Sequence, residues 1–281
     1  MNKTTNKTTN KPTFAALIIG DEILSGKRTD KHLAKVIALL GERGLSLAYA
    51  NYVGDDEARI TAAIAAMADS GDVVFSFGGI GATPDDRTRQ CAAQALGRDL
   101  VLHPQAKELI TLRMAETAAE KGEVFEPEHP DNIHRLNMGM FPQGACIIPN
   151  SYNRIPGFSV RTQGEFGAMY FAPGFPVMAW PMVAWVLDTH YQQYFAVGAW
   201  QERSLVIYGA IEASLTPLML QLERDHVGIK VFSLPSVDHP EHGRHVELGV
   251  KGQPHAVQEA FAAMQHALSA MSLEIGPELV R

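Results

Sequence analysis

Val73-Val74-Phe75-Ser76-Phe77-Gly78-Gly79-Ile80-Gly81-Ala82-Thr83-Pro84-Asp85-Asp86 passes from an uncharged, largely apolar run into three glycines, a threonine and two adjacent carboxylates. A short apolar run that stops at glycine reads as a buried strand. Beyond it, Cys91, Ala92, Ala95 and Leu96 recur on one side, so a helix over about 86–96 starts directly after the loop. Glycine lets backbone approach a ligand closely, and a helix start offers unpaired N–H groups and the positive end of its dipole. Gly78, Gly79, Gly81 and Thr83 therefore read as an oxyanion or phosphate cradle.

The same strand-then-helix pattern extends outward. Residues 14–19 form an apolar run ending at Gly20, and Leu33, Val36, Ile37 and Leu40 follow at helical spacing behind Asp30 as N-cap. A strand over 45–53 leads to Asp55 and Asp56, then to a helix carrying Ile60, Ala63, Ile64 and Met67 that ends at Gly71. Apolar strands separated by helices indicate βαβ crossovers, so the fold class is α/β: a doubly wound, mostly parallel sheet covered on both faces. Helices are expected over 104–121 and 131–140, and strands over 145–148, 158–161 and 169–172. Past Tyr194 come strands over 205–208, 229–234 and 245–250 and helices over 213–225 and 255–271, a small α+β module of split-βαβ type. The expected organisation is a disordered Asn/Lys/Thr-rich tail over 1–12, a ligand domain over 13–195 and the module over 196–281.

The chain has 281 residues, 46% hydrophobic and 20% charged, enough to bury a sizeable core beneath a soluble surface. With 24 Lys+Arg against 31 Asp+Glu, its net charge of −7 argues against affinity built on neutralising nucleic-acid phosphates. Cys91 and Cys146 supply neither a disulfide framework nor a zinc ribbon, which points to a reducing cytoplasm. The apolar run over 176–187 is shorter than the roughly 20 residues a bilayer requires, so no membrane association is expected. Its Trp180, Trp185, Met178 and Met182 read as core or as a contact in a homo-oligomer.

In open parallel sheets, ligands bind beyond the carboxyl ends of the strands. Three of those ends carry glycine with carboxylates: Gly20-Asp21-Glu22, Gly54-Asp55-Asp56, and Gly78 to Asp86. Asp85 and Asp86 would repel a phosphate in the cradle unless a divalent cation lay between them. A water on that cation could attack phosphorus with the remaining carboxylate as base. The competing reading is structural: Asp30 and Asp56 are good helix caps, and Lys27, Arg28, Arg87 and Arg154 can be ordinary solvated side chains. A Walker A loop, a dinucleotide fingerprint and a nucleophile elbow are each missed by a required residue. Asp238 to His245 reads as a solvated hairpin loop, because Pro240 and Gly243 prevent a helical metal-binding pair.

Taken in order, Gly20-Asp21-Glu22-Ile23-Leu24-Ser25-Gly26, Val53-Gly54-Asp55-Asp56 and the Gly78 to Thr88 stretch resemble the signature of the molybdopterin-binding MoaB/Mog fold. More narrowly, they resemble the N-terminal domain of CinA-type proteins, and Pro142-Gln143-Gly144-Ala145, Ile155-Pro156-Gly157-Phe158 and Pro173-Gly174-Phe175-Pro176 extend the match. The module from 196 on resembles, by element order, the KH-like module that follows in that type. The nicotinamide-nucleotide deamidase domain of full-length CinA has no counterpart here, so that activity is not expected.

The resemblance implies a three-layer α/β domain taking a nucleotide or pterin phosphate, and a metal-dependent pyrophosphatase acting on ADP-ribose or FAD. Carried over by position, Gly20, Gly78, Gly79, Gly81, Thr83 and Thr88 would bind phosphate. Asp21, Glu22, Asp85 and Asp86 would hold a divalent cation (Mg, Mn or Co), with Asp85 and Asp86 catalytic. Ala82 replaces the usual proline of the loop, and His32 stands where the pattern has asparagine. The alternative is a non-catalytic molybdopterin-binding protein of molybdenum cofactor biosynthesis.

Overall fold

The computed structural model describes residues 11–280. The expected tail thus lies outside the described residues except for its last two positions, of which Pro12 is already buried. The chain divides into two compact units, one ending at Phe195 and the other beginning at Ala196.

The first unit contains β1 (Phe14–Ile19), α1 (Asp21–Leu24), α2 (His32–Gly41), β2 (Leu47–Val53), α3 (Glu57–Asp69), β3 (Val73–Phe77) and α4 (Thr88–Ala95). Then come β4 (Leu100–Leu102), α5 (Pro104–Glu120), α6 (Pro130–Leu136), β5 (Met140–Pro142), β6 (Cys146–Ile148), β7 (Gly157–Arg161), β8 (Ala168–Ala172) and α7 (Pro176–His190). Six strands form one sheet in the order β2-β1-β3-β8-β7-β6. The first four are mutually parallel, while β7 and β6 run antiparallel at one edge.

Alternation along β1 shows why the sheet has two covered faces. Ala15, Leu17 and Ile19 pack with Ile60, Ile64 and Met67 of α3, Cys91 and Ala92 of α4, and Ile110 of α5. Phe14, Ala16 and Ile18 pack with Val36 and Leu40 of α2 and with Val183 and Leu187 of α7. Because successive strand side chains point to opposite faces, a strand apolar at every position must be covered twice. On the first face the rings of Phe141, Phe158 and Phe171 stack in series, with centroids 4.7 and 4.4 Å apart.

Two expectations need correction here. The helix expected to reach 140 ends at Leu136, and a 3-10 turn over Asn137–Gly139 leads into β5, which pairs antiparallel with β4. Gly139 is packed tightly, an added Cβ lying 3.1 Å from Ala106 and 3.2 Å from Leu102, so a side chain there would require its neighbours to shift. The α4 helix starts at Thr88 rather than 86, because Asp86 uses its side chain to close the preceding loop.

The second unit consists of β9 (Gln201–Tyr208), α8 (Glu212–Asp225), β10 (Ile229–His239), β11 (Gly243–Gly252), α9 (Pro254–Ser269) and β12 (Glu274–Val280). Its antiparallel sheet has the order β10-β11-β9-β12. The final strand was not foreseen. Its Gly276 and Pro277 break the apolar alternation, and proline is tolerated because β12 lies at the sheet edge. The histidine-rich stretch is the β10–β11 hairpin turn, as expected, and its His239 and His242 rings stack at 5.0 Å. No helix among the described residues is long and apolar enough to cross a membrane.

Candidate functional site

A cavity of about 430 Å³ opens beyond the carboxyl ends of β1, β3 and β8. Its floor is the glycine loop. After Phe77 the chain turns through Gly78 and Gly79, with φ of 98° and 67°, in the left-handed region that side-chain-bearing residues rarely adopt. A Cβ on Gly78 would strike the Ile19 carbonyl oxygen, and one on Gly79 would strike the Thr88 hydroxyl. The loop is fastened from behind as well: Thr88 Oγ1 donates to the Gly78 carbonyl at 3.0 Å, and Thr88 N donates to that of Gly79 at 3.0 Å.

Thr88 is therefore fully buried behind the loop and is not part of the cavity wall, unlike Gly20, Gly78, Gly79, Gly81 and Thr83. Its neighbour Arg89, which the sequence reading passed over, is also buried, and it donates to the carbonyls of Ile80 and, at 2.7 Å, of Gly81. An arginine one position after the loop's last threonine gives no sign in sequence of which way it points. By contrast Arg87 pairs with Glu57 at 3.5 Å and Arg154 with Glu116 at 3.1 Å, while Arg28 lines the cavity.

The carboxylates fall into distinct environments. Asp21 N donates to Asp55 Oδ2 at 2.9 Å, and Asp55 N donates to Asp21 Oδ1 at 3.1 Å. Asp55 lines the cavity together with Glu22, Asp85 and Asp86, whereas Asp21 does not. Asp55 was visible in its Gly-Asp-Asp motif but was not assigned a site role. Burial raises its pKa above the ordinary carboxylate value, and the charges of Asp21, Glu22 and Asp85 add to the effect. Asp86 Oδ2 accepts from Thr83 N at 3.0 Å and from the Thr83 hydroxyl at 2.5 Å, so Asp86 holds the loop shut. Hydrogen bonding from Thr83, whose one hydroxyl proton can serve either carboxylate, and from its own backbone N–H holds the exposed Asp85 carboxyl below its usual range. Asp56 caps α3 by accepting from Arg59 N at 2.9 Å, and Asp30 accepts from His32 N and Leu33 N at the start of α2.

The opposite wall is apolar: Met138, Ile155, Pro156, Phe175 and Met178. Asn150 fixes its loop by donating to Asn153 Oδ1 at 2.8 Å and to the Ile155 carbonyl at 2.9 Å. The His32 ring stacks on Phe77 at 4.5 Å, and its Nε2 donates to the Gly174 carbonyl at 3.1 Å, joining α2 to the loop after β8. Burial lowers the pKa of His32, so the ring is neutral at pH 7.

No three His, Cys, Asp or Glu side chains among the described residues form a preassembled metal site. Glu22, Asp55 and Asp85 nevertheless supply hard oxygen donors beside an anion cradle. That set suits a cation held by one or two carboxylates and completed by ligand phosphate oxygens.

A doubly wound domain with a glycine-loop cradle and acidic strand ends where its strand order reverses, between β1 and β3, is a small-molecule-binding α/β domain. The chain belongs to the family described as the probable molybdopterin binding domain, whose profile matches residues 15–192. A CinA-like protein of Syntrophotalea carbinolica is 34% identical over 200 residues, covering 71% of this chain and 46% of that protein. The chain thus spans about half the length of curated CinA-like relatives it matches. A Pyrobaculum calidifontis protein is 27% identical over 260 residues, covering 92% of this chain and 93% of that one. In fold, the unit is similar to the protein CinA of Thermoplasma acidophilum, with a TM-score of 0.52 at 23% identity, covering 63% of this chain and 97% of that one.

Proposed function

We propose that this chain is a divalent-cation-dependent pyrophosphatase of a nucleotide diphosphate compound such as ADP-ribose or FAD. The observation that carries the proposal is the gathering of Glu22, Asp55 and Asp85 in the cavity beside the glycine loop, with Asp21 behind them clasping Asp55. A site that only held phosphate would be better served by Lys or Arg there, because uncompensated carboxylates oppose an anionic ligand.

Glu22 and Asp85 are the residues that would hold the cation. When bound, a cation supplies charge neutralisation between carboxylate and phosphate and lowers the pKa of a water. The glycine loop orients the phosphate group, and the apolar wall of Met138, Ile155 and Phe175 receives a ring system. Asp85, kept ionised, is a weak base. Asp55, in the cavity beside the loop and left free of the cation, is the acceptor for the proton of an attacking water. The test is AMP release from ADP-ribose or FAD with Mg²⁺, Mn²⁺ or Co²⁺, which Asp55→Asn and Asp85→Ala should abolish. Wild-type protein inert across that panel would exclude the activity.

The match of residues 15–192 to the probable molybdopterin binding domain supports a second reading, a non-catalytic binder of a pterin phosphate. Calorimetric affinity for such a ligand, unchanged by metal and without turnover, would select it.

A further inference from the structure

We propose that Arg89 is the positioning residue of the anion cradle, turning the N–H groups of Gly81 and Ala82 into the cavity by gripping two carbonyls from behind. Arg89 lies on α4, is 2% exposed, and spends both terminal nitrogens on consecutive carbonyls, those of Ile80 and Gly81. A peptide unit is planar and trans, so the N–H that follows each carbonyl points the opposite way. Holding the Ile80 and Gly81 carbonyls toward Arg89 therefore directs the N–H groups of Gly81 and Ala82 away from it. Both residues line the cavity, and neither N–H meets a protein acceptor among the described residues. Two adjacent donors aimed at one space suit a tetrahedral oxyanion with two acceptor oxygens.

The electrostatics agree. The Arg89 Nε is buried without a partner, and the one acidic neighbour acting on the guanidinium is Asp86. Burial lowers the Arg89 pKa to about 10, which still leaves it charged at neutral pH. The buried guanidinium behind the loop offsets part of the repulsion that Asp85 and Asp86, which line the same cavity, exert on an anion in front of it. Lysine could not replace this grip, because its single ammonium lacks the planar fork that reaches two carbonyls.

The inference rests on the anion-cradle part of the function proposed above, and the experiment separates the two. Inorganic pyrophosphate, with and without Mg²⁺, is titrated into ¹⁵N-labelled wild-type protein and the Arg89→Lys and Arg89→Met variants. The Gly81 and Ala82 amide resonances of the wild type should move on binding. Affinity should fall by about tenfold to a hundredfold in Arg89→Met, the loss of charge-assisted hydrogen bonds, with part recovered in Arg89→Lys. A purely structural arginine would instead lower melting temperature in both variants while folded protein kept its affinity. Pyrophosphate binding that leaves the Gly81 and Ala82 amides unmoved overturns the role of Arg89 and spares the anion site. No binding by wild type overturns both. Should Arg89→Met fail to fold, the wild-type titration and Arg89→Lys still decide.

Discussion

Asp21 and Asp55 clasp each other, each backbone N–H donating to the other's carboxylate at 2.9 and 3.1 Å. The clasp ties the start of α1 to the loop between β2 and α3. A carboxylate that accepts a backbone N–H ordinarily has a lowered pKa, yet at Asp55 burial and three neighbouring carboxylates outweigh that bond.

Ionised Asp55 consequently costs stability. Its folded pKa exceeds the unfolded one, so stability is fully present below the ordinary carboxylate range and declines as pH rises through the folded value. Asp55→Asn keeps an oxygen for the Asp21 N–H and removes the charge. The variant should melt on the order of 1–2 °C higher at neutral pH, a small gain because solvent screens the partly exposed group, and the gain should vanish in acid. Calorimetric scans across pH test this, and an unchanged or lower melting temperature at neutral pH would refute it.

His32 gives a pH dependence of the other kind. Its folded pKa lies below the ordinary value of 6.5, so stability is complete above 6.5 and is lost as pH falls toward the folded value. His32→Gln should lose much of the difference in melting temperature between about pH 7.5 and 5.5. A difference equal to that of the wild type would show that the acid sensitivity lies elsewhere.

Gly79→Ala places a Cβ against the Thr88 hydroxyl at a φ of 67°. Urea unfolding should show a loss of about 1–3 kcal/mol, and pyrophosphate binding should disappear from the protein that remains folded. Retained binding at wild-type affinity would mean that the loop does not hold the anion.

Thr88 and Thr83 should behave differently although both were assigned to phosphate by resemblance. Thr88→Val strips the buried Gly78 carbonyl of its 3.0 Å donor and should destabilise by about 1–3 kcal/mol. Thr83→Val alters an exposed residue in the cavity wall, so its effect should fall on ligand affinity rather than on stability. Equal stability losses in the two variants would contradict this division.

The α/β class and the position of the glycine loop were legible because they depend on local pattern. Strands apolar at every position, helices with three- and four-residue spacing, and glycines at strand ends act over a few residues. The strands β4, β5 and β12 escaped notice: two are three residues long, and the third carries Gly276 and Pro277, so none shows a period to read. Among the acidic residues, sequence marked three strand ends as places where negative charge collects, and it did so from composition at those ends alone. Only tertiary structure assigned the individual roles. Asp86 closes a loop, Thr88 and Arg89 brace the cradle from behind, and Asp55 faces the cavity with a raised pKa, whereas the capping role of Asp56 was already legible. The reason is physical: a side chain's direction and charge state depend on the strands and helices brought beside it from distant parts of the chain, which no local spacing encodes.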